Sequence, residues 1–549
     1  MRGLPLDDAP RPRGRLFFFV ALITFSVAGI VFLAPNPASS NRTSVRDFQR
    51  RPVSCPEQHS PLLPAIPFSL RHKEHVYVER LQGAVRIRTE TFDEAPQDGS
   101  DRWYDKFYEF EAYLLETFPD VFASLKLQHF ATHSLLLTWQ GSDASLAPII
   151  LMAHQDTVPV PDETVERWTH PPFSGHVDSE GWLWGRGAGD CKNTLIAELS
   201  AVSELLAAGF SPTRTVHLAF GFDEEGGPVH SARAVAEHLE EKYGTDSIFM
   251  IVDEGGGVIE DYFGQTWVAP ATGEKGSANI KVSVNVPGGH SSVPPAHTAI
   301  GILSTLVGAI EAHPPPVALS PANPFSAFAM CLAEYGTIDD ALREALAHEW
   351  TWPLAAQMMA DRNAGDRARL STTQAVDIVR GGVKVNALPE EAHAIVNHRV
   401  ASDDSISKIQ ERYVKLLTPE AAKFNLSIVG FGEEPPEGAT SYVRLERPGD
   451  RGAEASPVTP ARGDAWRVFS GTSLHLWPEA IVAPYLATGG TDTRSYVQLT
   501  RAIYRFRGFL ESERVNAHTV DERVHVNGHL TAMEWVHAFI QNADAFRED

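Results

Sequence analysis

The sequence predicts an α/β fold, a mixed sheet flanked by helices, interrupted by a smaller α+β domain and preceded by a single transmembrane helix. Three observations carry the prediction. Short apolar runs at 147–153, 215–222 and 247–252 suit buried central strands, and stretches of helical periodicity separate them. Beyond residue 276 the pattern changes to the alternation of half-exposed strands. Near the N-terminus, residues 16–33 carry no charge and are long enough to cross a bilayer core of roughly 30 Å.

Arg11, Arg13 and Arg15 precede that apolar segment and the first base after it is Arg42. Residues 1–15 are therefore expected in the cytosol, with the body in a lumen. An uncleaved anchor is preferred to a cleaved signal peptide, because no small-residue cleavage pattern follows the run. Residues 34–70, rich in Pro and Ser, read as a stalk. The main domain occupies 71–276 and resumes over 433–549. Within it Leu195, Ile196, Leu199, Val202, Leu205 and Leu206 recur at helical spacing, and Gly209 stops that helix. A closing helix is expected at 529–542. The second domain, 277–432, offers strands at 278–286, 375–381, 392–400 and 427–431 and helices at 297–312 and 405–417. Setting aside an apolar helical insertion at 321–361, read as core, these give a ferredoxin-like strand–helix–strand–strand–helix–strand order. Residues 435–464, rich in Gly, Pro and Glu, read as a loop.

A chain of 549 residues exceeds one ordinary domain, and 43% hydrophobic with 21% charged residues is the balance of a globular core. The formal charge of −23 leaves no basic footprint, so nucleic acid is not an expected partner. Cys55, Cys191 and Cys331 are too few and too scattered for a disulfide framework, and Cys331 reads as a small buried apolar residue. N-x-S/T sequons at Asn41 and Asn425 fit a lumenal body.

Chemistry-bearing residues gather just past the ends of the apolar runs: His154 and Asp156, then Asp223, Glu224 and Glu225, then Asp253 and Glu254. Open α/β sheets place ligands at those ends. A glycine-rich turn delivers one further carboxylate, Asp190. Adjacent acids repel one another, so such a run behind a buried strand points to bound cations. His and carboxylate donors without thiolates suit zinc in a catalytic site. A second histidine is needed, and His518 is the candidate.

The motifs AHQDTVPV, PPFSGHVDSEGWLWGRGAGDCK, FGFDEEGG, DEGG, GGHSS, GGVKVNALPEEAHAIVNHR, GGTDTR and HTVDERV resemble the dizinc aminoacylase/carboxypeptidase family over roughly residues 70–545. The narrower resemblance is to its vacuolar carboxypeptidase S branch and the related secreted N-acyl-amino-acid hydrolase/synthases. The resemblance implies a zinc-exopeptidase-like catalytic domain and a lid. It implies two Zn2+ bridged by Asp190, with His154 and Asp253 completing one coordination sphere and Glu225 and His518 the other. Asp156 would orient His154, and Glu224 would be the general base. His290 of the lid would polarise the scissile carbonyl, and Asn386, Arg399 and Arg494 would hold the substrate. Cys191 departs from the pattern of many relatives, which carry an acid or another residue there. The implied reaction is hydrolysis of the amide next to a free C-terminal carboxylate in short peptides. The alternative is the same chemistry on N-acyl amino acids. A non-catalytic, membrane-anchored binding protein would have lost a ligand or Glu224, and none is missing. A vacuolar lumen is expected, with secretion as the alternative, and a homodimer through the lid is a further expectation.

Overall fold

The computed structural model describes residues 53–68, 73–226, 229–449 and 452–547. The segment expected to cross a membrane lies outside these residues, as does Asn41. Among the described residues no helix is long and apolar enough to cross a membrane. In chain order the elements used below are α1 (Glu74–Arg86), α2 (Lys106–Thr117), β1 (Lys126–Phe130), β2 (Ser134–Trp139), β3 (Ile149–His154), α3 (Lys192–Ala207), β4 (Val216–Gly221), α4 (Ser231–Tyr243), β5 (Met250–Tyr262) and β6 (Ala271–Glu274). The second domain follows with β7 (Gly276–Asn285) and α5 (Ala299–Ala312). The insertion supplies α6 (Pro324–Tyr335), α7 (Asp340–Leu346), α8 (Trp352–Ala360) and α9 (Ala364–Leu370). Then come β8 (Ala375–Gly381), β9 (Glu391–Val400), α10 (Ile406–Ala422), β10 (Ser427–Val429), β11 (Tyr442–Glu446), α11 (Gly463–Leu476), β12 (Tyr485–Ala487), β13 (Ile503–Leu510) and α12 (Val526–Ala545).

The main sheet runs β1-β2-β4-β3-β5-β13-β6-β12, and its centre, β4-β3-β5-β13, is parallel. Every residue of β3 and β4 is buried, which is why both read as unbroken apolar runs. Helix α3 is covered by the sheet, α1 and α12, so Leu195, Ile196, Leu199, Val202 and Leu205 are all buried. Truncating one of them, as in Leu199→Ala, costs about 2–5 kcal/mol.

The second sheet runs β8-β9-β7-β11-β10, with β7 antiparallel to both neighbours. Helices α5 and α10 cover one face through Ile302, Leu306, Ile310, Ile409, Tyr413 and Leu417. The order matches the ferredoxin-like expectation, with one correction. The strand beside β7 is β11, from the stretch read as a loop, and the expected fourth strand, β10, lies outside it in parallel pairing. Val443 and Leu445 are buried while Tyr442, Arg444 and Glu446 are half-exposed, so five residues of alternation suffice to bury a strand.

The cysteine reading is also corrected. Cys55 and Cys331 form a disulfide, and only Cys191 is free and buried. The late part of the presumed stalk is therefore part of the body. Gln58 bonds both ways with the Val482 backbone at 2.9 and 3.0 Å, and Leu62 N–H donates to the Gly471 carbonyl at 2.8 Å. In the insertion Phe325, Phe328 and Trp352 are core as expected, whereas Trp350 is exposed. The chain crossings at 272–277 and 453–459 run side by side. Ser277 and Ala453 exchange backbone bonds of 2.8 and 2.9 Å, and Ser456 and Thr459 donate to Glu274 and Thr272 at 3.0 and 2.7 Å. Lys275 ties the return from the insertion to this ribbon through the Ala368 and Ser371 carbonyls at 2.8 and 2.7 Å.

Candidate metal centre

The site forms where β3 and β4 end and at a bulge within β5. His154 is the last residue of β3, and its Nε2 stands 3.3 Å from Asp190 Oδ1 and 3.2 Å from Glu254 Oε1. On the other side His518 Nε2 stands 3.1 Å from Asp190 Oδ2 and 3.0 Å from Glu225 Oε2. One carboxylate thus lies between two imidazoles, each with a second acid of its own. Glu224 and Glu225 both approach His154 closely enough to share an ion with it. Asp156 organises the centre from behind. Its carboxylate lies 3.3 Å from His154 Nδ1 and accepts Thr91 Oγ1 at 2.6 Å, Glu225 N–H at 3.0 Å and Glu224 N–H at 3.2 Å. No hydrogen bond commits the Glu224 carboxylate among the described residues.

The loop before α3 presents Asp190 because Glu522 gathers its backbone. One Glu522 oxygen accepts from Gly187, Asp190 and Gly189 N–H at 3.1, 3.1 and 3.0 Å, while the other pairs with Arg186 at 2.5 Å. Gly187 has φ +83°, and a side chain there would strike Thr157. The Asp190–Cys191 peptide is cis, and the Cys191 thiol accepts the His154 N–H at 3.3 Å. His518 is itself left-handed, at φ +63°.

Electrostatically this is a centre in need of cations. Burial, then the Asp190 carboxylate, pushes Glu225 up to about 7, and burial pushes Glu224 well above the usual range. Hydrogen bonds to Asp190 and Glu225 push His518 up to about 10. Two divalent ions would replace the shared protons, and nitrogen and oxygen donors in this pattern fit them. Arg514 also bonds Asp190 Oδ2.

Six expected residues therefore converge: His154, Asp156, Asp190, Glu224, Glu225 and His518. Asp253 does not take the place expected of it. Its Oδ1 accepts the Glu254 N–H at 2.8 Å and its Oδ2 is buried without a partner, in a small internal cavity shared with Glu198. Glu254 faces His154 instead. The cause is a break in register: β13 pairs Arg505 with Asp253 but the next residue, Phe506, with Gly256, so Glu254 and Gly255 bulge out. Gly255 has φ +140° and packs on Arg505, which is what the glycine run allows. The DEGGG string offers both acids, and the resemblance implied Asp253 where the geometry presents Glu254.

The four residues expected to hold or polarise substrate are not on the wall of the groove over the centre, a cavity of about 370 Å³. His290 and Asn386 sit together on the lid, where Gly289–His290 pairs with Ala387–Leu388 and Ser291 N–H donates to the Asn386 carbonyl at 3.3 Å. Both are exposed, as are Arg399 on β9 and Arg494. His290, Asn386 and Arg399 belong to the second domain, and Arg494, in the main domain, points into solvent beside the buried Asp492. Arg514 and Glu522 went unrecognised in the sequence; HTVDE marks Glu522 only as one more acid, and Arg514 lies outside any motif.

The profile of peptidase family M20/M25/M40 matches residues 150–542. Carboxypeptidase S of Saccharomyces cerevisiae is 35% identical, covering 100% of both chains. The N-fatty-acyl-amino acid synthase/hydrolase of Homo sapiens is 32% identical over 88% of this chain and 91% of that one. Among solved structures, human carnosine dipeptidase 1 superposes with a TM-score of 0.59 at 13% identity, covering 88% of this chain and all of the other, a likeness of fold.

Proposed function

Because the chain belongs to peptidase family M20/M25/M40, we propose that it is a dizinc exopeptidase hydrolysing the amide next to a free C-terminal carboxylate in short peptides. The observation that carries the reading is Asp190, whose two oxygens face His154 and His518 while Glu224 beside them is uncommitted. His154, Glu254 and Asp190 would hold one ion, and Asp190, Glu225 and His518 the other. When bound, the zinc pair supplies Lewis acidity, which acidifies water and polarises the amide carbonyl. Glu224 takes the proton of the attacking water and returns it to the leaving amine, so the amine departs neutral. Asp156 fixes the His154 ring and the Glu224–Glu225 backbone. His290 and Asn386 act when the lid approaches the groove.

Glu224→Gln tests this directly. Metal content should stay near two ions per chain, while turnover of N-blocked dipeptides falls about 10²–10⁴-fold. A fully active variant would remove Glu224 from its role. The second reading, hydrolysis of N-fatty-acyl amino acids, is favoured by the human relative. Parallel assays of N-blocked dipeptides and N-oleoyl amino acids decide between them.

A lumenal body behind an N-terminal anchor, vacuolar in the first instance, is part of the same proposal. The Cys55–Cys331 bridge supports an oxidising compartment, and the Asn425 sequon is exposed. A glycosidase-sensitive mass shift lost in Asn425→Gln would agree. The lid also offers a dimer edge: β8 is a sheet edge that carries exposed Val379, and Val293, Val383 and Val385 of the same domain are exposed too. Light scattering of wild type against Val379→Lys tests a second copy there.

A further inference from the structure

Three arginines reach the groove wall, and two of them are already bonded. Arg507 donates to the Gly255 carbonyl and, at 2.7 Å, to Glu511, and Arg514 holds Asp190. The third is Arg369, from α9 of the insertion. Its guanidinium lies 4.4 Å from the centroid of the Tyr485 ring, which also lines the groove. Its Nε is buried with no hydrogen-bond partner. The nearest acid is Asp366, whose Oδ1 stands 3.7 Å from Nη1, beyond hydrogen-bond reach. The other Asp366 oxygen is taken by Tyr262 and Asn363, at 2.7 and 3.0 Å. Stacking on Tyr485 thus holds the plane of the guanidinium and leaves its edge open to an anion.

A second observation points the same way. Burial, then the charges of Arg399 and Arg369, pushes the Lys275 amine down to about 7. Arg369 from the insertion and Arg399 from lid strand β9 therefore bear on one side chain, from two separate elements. Arg369 thus sits at the groove wall among like charges, which an anion joining it would relieve.

We propose that Arg369 is a specificity-determining residue, receiving the free carboxylate of the substrate on its guanidinium edge. The proposal rests on the exopeptidase reading and names the group that reads the C-terminus. The groove then has polarity: acids at one place to hold cations, and a supported guanidinium at another to hold the anion.

The test uses the full chain with Arg369→Met and Arg369→Lys. Each protein is assayed on an N-blocked dipeptide and on the same dipeptide as its C-terminal amide. Binding of leucine and leucinamide is measured by calorimetry, which needs no turnover. Losing a charge-assisted paired contact should raise KM for the free acid about 10- to 100-fold in the Met variant, with kcat within about threefold. Lysine, which keeps the charge but not the fork, should fall between. Leucine affinity should drop in parallel, and leucinamide affinity should not change. A Met variant that melts like wild type and has wild-type KM and leucine affinity overturns the proposal alone. A wild type that prefers the amide to the free acid overturns the exopeptidase reading and this proposal with it.

Discussion

Replacing Glu254 by Ala should cost one metal ion, whereas Asp253→Asn should not. The β5 bulge brings Glu254 Oε1 to 3.2 Å from His154 Nε2, while Asp253 holds the Glu254 N–H and faces an internal cavity. Without Glu254 that lobe keeps only His154 and one oxygen of Asp190. Loss of a group behind a ligand typically weakens metal affinity 10- to 100-fold. Loss of the ligand itself should therefore exceed about 100-fold, roughly 2.7 kcal/mol. Asp253→Asn, which keeps the hydrogen bond that aims Glu254, should stay within about tenfold. Competitive chelator titration with zinc, alongside metal content after dialysis, measures both. The reverse ranking, with Glu254→Ala holding two ions tightly and Asp253→Asn holding one, would refute the geometric assignment.

Three other outcomes are expected. His217 and His398 are held down to about 3 and about 4, chiefly by burial, and each has ring nitrogens engaged by neighbours, including Tyr243 and Tyr413 at 2.9 Å. Their unfolded values are near 6.5, so below that pH the unfolded chain binds protons that the folded chain does not. Stability therefore falls as pH drops from about 6.5 toward 4, by at most about 1.4 kcal/mol per pH unit for each histidine. Urea unfolding across that range should show the slope, and an unchanged slope in His398→Gln would clear that residue. The Cys55–Cys331 bridge spans a sequence separation of 276, so Cys55→Ser with Cys331→Ser should lower the unfolding free energy by about 2–5 kcal/mol. Equal melting of reduced and oxidised protein would contradict this. Glu522→Gln leaves Arg186 buried without its counterion and loosens the loop carrying Asp190; a cost of about 3–5 kcal/mol is expected by calorimetry, with weaker metal binding.

Much of this architecture was legible because burial writes itself into composition. β3 and β4 are buried throughout and apolar apart from His154 and His217, and the Leu195–Leu205 spacing marked a helix. What escaped detection did so for identifiable reasons. Five alternating residues at 442–446 were lost among glycines and prolines, although alternation was there to be seen. A bulge changes strand parity without changing composition, so Asp253 and Glu254 could not be ranked before the pairing with β13 was known. Cys55 and Cys331 are remote in sequence, and nothing local reports that they meet. For the lid, the resemblance singles out His290, Asn386 and Arg399 only as expectations, and whether they reach the groove depends on how one layer sits on another, which no local pattern encodes.

The crossings that join the two layers have a mechanical consequence. Ser277 with Ala453, Glu274 with Ser456 and Lys275 with Ser371 knot separate passages of chain into one fulcrum. Hydrogen-bonded ribbon resists shear in its own plane and yields to bending out of it. Any bending between the two layers would therefore load these bonds first, those from Lys275 to the Ala368 and Ser371 carbonyls among them.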